Sequence, residues 1–449
     1  KGSTLVPILS NQSTLQLNME ATGRQVPIKT INKLTGAPLG GVEISAGDSA
    51  VTTAEDGSAT LVLPADQTAI NATLKHDGFN TVAGDVTVTE QTDDKNTFSL
   101  TATGKVYFLS KRTGKIDVMK SDLDGANAST VVTATGYEDE SQTVLLASRD
   151  WKYLALQSKR DAKSTKLYLV NAADDKLSVI DEGDGVSFSP VGWSNEYFVY
   201  RVTRTNVQSW QPKQQSLKTF NATTGKITTL DDTDGTGTGA FNWATETFTG
   251  IYIINDQIVY AKYWNNYYDT PMLISGKKDV IYHIKANGED RQGVKEFDST
   301  SSSYLEAAPY RPDEIYFKLS GTPNKYFEYH DGTVAETTEV NDTNFYNQAY
   351  ITYLVSPSGK NTFWYEARDG KNVLFVGDAE GANGKEVMSS NSFKPYGWYT
   401  DDYLLLAKNG SELFVLARNA QGAEPVKITD YHKPAVSFPG YGYGYGGSD

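Results

Sequence analysis

The sequence predicts an all-β protein, a small β-sandwich followed by a seven-bladed β-propeller. Three observations carry that reading. Short runs in which apolar and polar residues alternate are bounded by Gly, Asp and Pro, the period-2 signature of strands. Tyr is unusually abundant, with 28 against 17 Phe and 7 Trp, and aromatic residues suit a pleated, half-buried surface. From residue 103 onward the strand pattern repeats, with a period of about 47 residues that lies in the range of propeller blades.

Residues 1–24 read as an extended arm. Leu15, Leu17 and Met19 alternate with Thr14, Gln16 and Asn18, while Pro7 interrupts the stretch that holds Leu5, Val6, Ile8 and Leu9. Pro suits an edge strand, and no hairpin partner follows directly. An unpaired apolar strand of this kind fits addition to the sheet of a neighbouring subunit. A head-to-tail contact that does not close gives filaments, so these seven apolar residues are the candidate assembly strand.

Residues 25–102 hold the strands VPIKTINK, VEISA, SATLVLP, AINATLKHDGF, DVTVTE and NTFSLTA, separated by turns such as AEDG. Runs this short, with turns this close, predict a small sandwich. Lys29 and Asn96, on its first and last strands, have the order needed for an isopeptide bond beside Glu43 or Glu55. Nothing local specifies that bond, and ordinary surface residues are the simpler account.

Residues 103–431 give seven units of three or four strands, beginning at KVYFLS, QTVLLAS, VSFSPVGW, NDQIVYAKYW, APYRPDEIYFKLS, YLVSPSGK and FKPYGWYT. The stretches GWSNEYFVY (192–200) and GWYTDDYLLL (397–406) fall at equivalent places in the third and seventh units, which predicts Trp193 and Trp398 as packing residues between blades. The second copy has one more residue between Trp and Tyr, expected in the bend. The last segment, 432–449, is expected to supply a strand that closes the ring on the first blade, followed by a sticky Gly/Tyr-rich tail.

LTGAPLGGVEIS (34–45), TTAEDGSATLVLP (52–64) and LKHDGFNT (74–81) resemble the carboxypeptidase-regulatory-like (transthyretin-like, Ig-like) sandwiches carried as accessory modules by secreted proteins. The resemblance implies a spacer or folding module that is not catalytic. SRDWKYLALQS (148–158) with KLYLVN (166–171), and SPSGKNTFWYEA (356–367), resemble the propellers of TolB-like proteins and dipeptidyl-peptidase-IV-like enzymes. The bends SRDW, SNEY and SPSG depart from the S-x-D-G-like bend of those propellers, so this second resemblance implies architecture alone.

Composition removes several functions. The absence of Cys excludes thiolate catalysis, disulfides and Cys-based zinc sites. A net charge of −14 argues against nucleic acid as a partner. No apolar run approaches the roughly 18 residues of a transmembrane helix, which predicts a soluble chain. It begins at Lys1 rather than Met, so an upstream signal or anchor is expected to be missing. No G-x-S-x-G occurs, and the four His (His76, His283, His330, His432) are scattered, which argues against a serine hydrolase. With 55 acidic residues some carboxylate pair is always close, so pairing alone does not indicate a glycosidase.

Two candidate sites remain. The acidic turn DDTDGTGTG could offer Asp231, Asp232 and Asp234 to a structural calcium ion, although Asp-Gly is equally a hairpin signal; no other cofactor is expected. The fourth unit carries YAKYWNNYYDTPM, in which Tyr260, Tyr263, Trp264, Tyr267 and Tyr268 crowd against Asn265, Asn266 and Asp269. Aromatic faces beside amides are suited to sugar or peptide recognition. The resulting expectation is a non-enzymatic exported or cell-surface protein acting by adhesion, ligand capture or self-assembly. Its partners would be copies of itself, surface proteins or glycans. The alternative is a propeller enzyme that processes carbohydrate or peptide with channel carboxylates.

Overall fold

A computed structural model describes residues 23–89, 96–208, 211, 213–237, 242–254, 256–266, 271–300, 304–311, 314–345, 355–420 and 424–433. The described chain is strand and connection apart from one short helix, Pro271–Ile274, so the fold is all-β. No helix among the described residues is long and apolar enough to cross a membrane. The chain divides into two compact units between Thr103 and Gly104.

The first unit contains β1 (Gly23–Asn32), β2 (Glu43–Ala46), β3 (Ser49–Thr52), β4 (Ser58–Pro64), β5 (Ala69–Lys75), β6 (Val82–Thr87) and β7 (Thr97–Leu100). They form two sheets, ordered β4-β1-β7 and β3-β2-β5-β6. Strand alternation turns Val26 and Ile28 of β1 inward while Gln25, Pro27 and Lys29 face outward. Their inner faces meet Ile44, Leu61, Leu63, Leu74, Val86 and Leu100 in one core. Gly57 sits at φ +75°, where an added Cβ would collide with the Thr30 carbonyl oxygen, so this turn requires glycine.

The second unit is a succession of seven sheets, each an antiparallel meander, running from Val106 to Thr429. We number them as blades 1 to 7. The first strands of the blades face a common axis: Val144–Ala147 in blade 2, Val186–Ser194 in blade 3, Trp243–Ile254 in blade 4 and Phe393–Thr400 in blade 7. Further out, the strands lose their alternation because both faces are covered by neighbouring blades; Glu412–Ala417, for example, is buried at five successive positions. The apolar clusters lie between successive blades. Leu109 and Val118 meet Leu154 and Val170 between blades 1 and 2; Leu146 meets Phe198 and Tyr200 between blades 2 and 3; Phe363 and Leu374 meet Leu404 and Leu416 between blades 6 and 7.

The ring closes through the C-terminal segment. The backbone N–H of Lys433 donates to Leu109 at 2.8 Å and that of Lys111 to Tyr431 at 2.8 Å, with a bridge between Ser110 and His432. Residues 431–433 thus lie inside Val106–Ser110, which becomes the second strand of blade 1 rather than its first. Blade 4 differs from the sequence reading in the same way. Gln257–Asn266 is its second strand, inside it lies Trp243–Ile254, and the short strand Gly235–Gly237 adds a fifth member.

The repeated Gly-Trp stretches also resolve. In blade 3 the register shifts between Pro190 and Gly192, in blade 7 between Pro395 and Gly397, so both carry the same bulge ahead of the Trp. Gly397 at φ +141° adopts a conformation suited to glycine. The additional residue of the second copy is Tyr399. It forms a second bulge between Trp398 and Thr400 and leaves the hairpin itself no longer than that of blade 3. The extra length lies in the strand, not in the bend.

Candidate functional site

The first strands of blades 2, 3, 4 and 7 enclose, with Val355 of blade 6 and the closing segment, a cavity of about 260 Å³ on the propeller axis. Its wall combines the rings of Trp151, Trp193, Tyr396 and Trp398 with two cationic side chains, Arg149 and Lys433. Among the described lining residues there is no Asp or Glu, in a chain whose net charge is −14.

Each of these side chains is fixed by local structure. Trp193 follows the blade 3 bulge, is 7% exposed, and donates its Nε1–H to the Leu146 carbonyl of blade 2 at 2.9 Å. Trp398 occupies the equivalent place, half-buried, with its ring 5.9 Å from that of Phe363. Arg149 and Trp151 belong to the tight S-R-D-W turn of blade 2. There the Ser148 hydroxyl donates to Asp150 at 2.7 Å and accepts from the Tyr153 N–H at 3.1 Å, and Trp151 takes φ +57°. From that turn Arg149 donates to the Ser356 carbonyl of blade 6 at 3.2 Å, and Trp151 donates to the Tyr399 carbonyl of blade 7 at 2.8 Å. One hairpin therefore reaches across the axis, and the bulged residue of blade 7 receives it.

Lys433 enters on the closing segment, 2% exposed, with its Nζ 3.3 Å from the Thr143 carbonyl oxygen. Burial pushes its amine below the usual lysine range, while the charges of Glu140 and Asp139 act the other way. Its neighbour His432 is also 2% exposed, edge-on to Tyr396 at 4.8 Å. Burial, aided by the charge of Lys433, pushes that imidazole down to about 3. A site with aromatic walls, a buried ammonium and a guanidinium can hold an anion attached to an apolar body.

The residues singled out from the sequence lie elsewhere. Tyr260 is fully buried between blades 3 and 4, its hydroxyl bonded to Asp231 at 2.8 Å. Trp264 is 4% exposed, packed with Ala244 and Ile274 under the cation of Lys277 at 4.5 Å. Tyr263 is half-buried, and burial followed by the charges of Asp279 and Glu306 pushes its hydroxyl up. Asn265 is exposed and Asn266 half-buried. Tyr267, Tyr268 and Asp269 lie outside the described residues, as do Leu5, Val6, Ile8, Leu9, Leu15, Leu17 and Met19. Among the described members of the blade 4 cluster, Tyr260 and Trp264 serve the core.

Asp231, Asp232 and Asp234 lie at the outer edge of blade 3, where protein groups meet them. Asp231 is held by Arg291 at 2.7 Å and Lys262 at 3.5 Å, and Lys262 is shared with Glu246 at 3.0 Å. Asp232 accepts from the Ser216 hydroxyl at 2.5 Å, and the Asp234 N–H donates to Glu246 at 3.0 Å. Among the described residues, the set of three His and carboxylate side chains with ligand atoms mutually within 4.8 Å is Glu314, Glu328 and His330. In the first unit, Lys29 is exposed, while the Asn96 amide is taken up by both backbone groups of Thr87, at 2.8 and 3.0 Å.

Arg149, Trp151 and Lys433 escaped the sequence reading as site residues. The usable signal was the repeated P-x-G-W bulge, which marks two Trp side chains at one level of the axis. Lys433 carries no local signal, because it reaches the axis only through ring closure.

No family model matches the sequence, and no curated protein matches it. Similarity appears among solved structures. An oligogalacturonate lyase in complex with manganese aligns at 11% identity over 68% of this chain and 82% of its own, with a TM-score of 0.39. TolB from Acinetobacter baumannii aligns at 12% identity, over 72% of this chain and 76% of its own, TM-score 0.31. Porphyromonas gingivalis dipeptidyl peptidase 4 aligns at 10% identity over 82% of this chain and 58% of its own, TM-score 0.35. A prolyl endopeptidase and acylaminoacyl peptidases also match. The expectation that this chain is not an enzyme is corrected by these matches. Most of these matched structures are of enzymes. At such identities the likeness is one of fold: TolB-like and dipeptidyl-peptidase-IV-like β-propellers.

Proposed function

We propose that this is an exported or surface-displayed protein whose propeller captures a small carboxylate with an apolar or aromatic body, such as the carboxyl end of a peptide. One observation carries the reading: a cavity of about 260 Å³ on the axis, walled by Trp and Tyr rings, whose charged groups among the described residues are Arg149 and Lys433. Ligand sites are concave and mostly apolar with a few fixed polar groups, and burial strengthens a charge-assisted hydrogen bond. Lys433 supplies the anchoring ammonium, and Arg149 of the blade 2 turn a second donor. The indoles supply contact area at small entropic cost.

The test is a titration of N-acetylphenylalanine and its amide, followed by quenching of Trp fluorescence. The carboxylate is expected to bind at least 10-fold more tightly than the amide, and Lys433→Met to erase that difference. If neither compound bound the wild-type protein at millimolar concentration, the proposal would be wrong.

A further inference from the structure

We propose that Glu314, Glu328 and His330 form a site for a divalent transition-metal ion on blade 5, independent of the axial cavity. The side chains come from two adjacent strands, Glu314–Leu319 and Lys325–His330. The register sets Glu314 opposite His330 and Tyr316 opposite Glu328. Since side chains alternate between faces along a strand, Glu314, Glu328 and His330 share one face. Their ligand atoms all lie within 4.8 Å of one another. One ion with bonds of about 2.0–2.2 Å holds its ligand atoms within about 4.4 Å of one another, so a small closing of the side chains would complete the site. All three side chains are half-buried, on strands whose neighbouring residues Ile315, Phe317, Phe327 and Tyr329 are core. The donors are therefore held by the sheet, with little reorganisation needed.

Charge gives a second, separate reason. Among the described residues the Glu328 carboxylate makes no hydrogen bond or ion pair. His330 has Nδ1 3.7 Å from Glu314 and Nε2 3.4 Å from Asp331, so a single imidazole sits among three carboxylates. The nearby Lys318 is directed to Glu306 at 3.3 Å. A dication bound there would offset the negative charge of the carboxylates and take the imidazole nitrogen as its third ligand. One imidazole with two carboxylates suits zinc, cobalt or manganese, whereas calcium requires six to eight oxygens.

The test is calorimetric titration of the full chain with Zn²⁺, alongside the visible spectrum with Co²⁺. The expected result is one ion per chain with micromolar affinity. Glu328→Gln, nearly isosteric, and His330→Gln should each weaken binding at least 10-fold. Asp298→Asn, an exposed residue of blade 4 paired with Lys278, should leave it unchanged. The site is refuted if no binding occurs at 1 mM metal, or if Glu328→Gln binds as the wild type does, which would mark the ion as adventitious. Should His330→Gln lose the native Trp fluorescence, Glu328→Gln decides alone.

Discussion

Lowering the pH from 7 to 4.5 should loosen the propeller ring at its closure, and the reason lies in one buried imidazole. His432 bridges the closing segment to blade 1, is 2% exposed, and its Nδ1 meets no hydrogen-bond partner among the described residues. Burial holds its pKa at about 3, against 6.5 in an exposed chain. Between those values the unfolded chain binds a proton that the folded chain refuses, so stability is greatest above 6.5 and falls as the pH drops toward 3. One proton over each pH unit is worth about 1.4 kcal/mol. At pH 4.5, two units below the unfolded value, the loss is about 2.5 kcal/mol relative to pH 7. All seven Trp lie in the second unit, the first being Trp151, so urea unfolding followed by Trp fluorescence reports on the propeller alone. Carboxylates also contribute to acid lability, so the decisive quantity is a difference. His432→Phe keeps a ring against Tyr396 and removes the titration. The variant should lose about 2.5 kcal/mol less than the wild type between pH 7 and 4.5. Equal losses in the two proteins would refute the argument.

Two further substitutions test the packing described above. Trp193→Ala removes an indole that is 7% exposed together with its bond to Leu146, and should cost about 3–5 kcal/mol in urea unfolding. If stability held and only N-acetylphenylalanine binding were lost, Trp193 would belong to the ligand site alone. Asp231→Asn removes the charge that pairs Lys262 and Arg291, in a network where Lys262 is 8% exposed. Its expected cost is about 3 kcal/mol, the lower end for a buried pair because Lys262 retains Glu246. A loss below about 0.5 kcal/mol would show that the network contributes no more than an exposed pair.

The all-β class was legible because strand periodicity is local. Val26 and Ile28 alternate with Gln25 and Pro27 whatever lies across the sheet, and Asp-Gly and Asn-containing turns separate the runs. The blade repeat was legible for the same reason, as was the placing of Trp193 and Trp398 at one level of two blades. Blade membership was harder. Val106–Ser110 and Gln257–Asn266 read as first strands and are second ones, since the strand that covers each comes from a segment whose own pattern does not announce it.

The site followed a different rule. Tyr260 and Trp264 looked like a binding surface in the sequence, where aromatic crowding cannot reveal which way a ring points. In the fold the second strand of a blade is covered on both faces, and those rings fill the core. Asp231, a candidate calcium ligand or simple turn residue in the sequence, pairs in the fold with Lys262 and Arg291, which are distant in sequence. The sequence alone determined the all-β class, the turns and the number of repeats, because strand alternation and turn chemistry are specified within a few neighbouring residues. Tertiary structure alone decided the axial cavity, because it joins Arg149 and Trp151 to Tyr399 and Lys433 across more than 200 residues. Only closure of the ring, which buries Lys433 beside blade 2, brings those groups to one place.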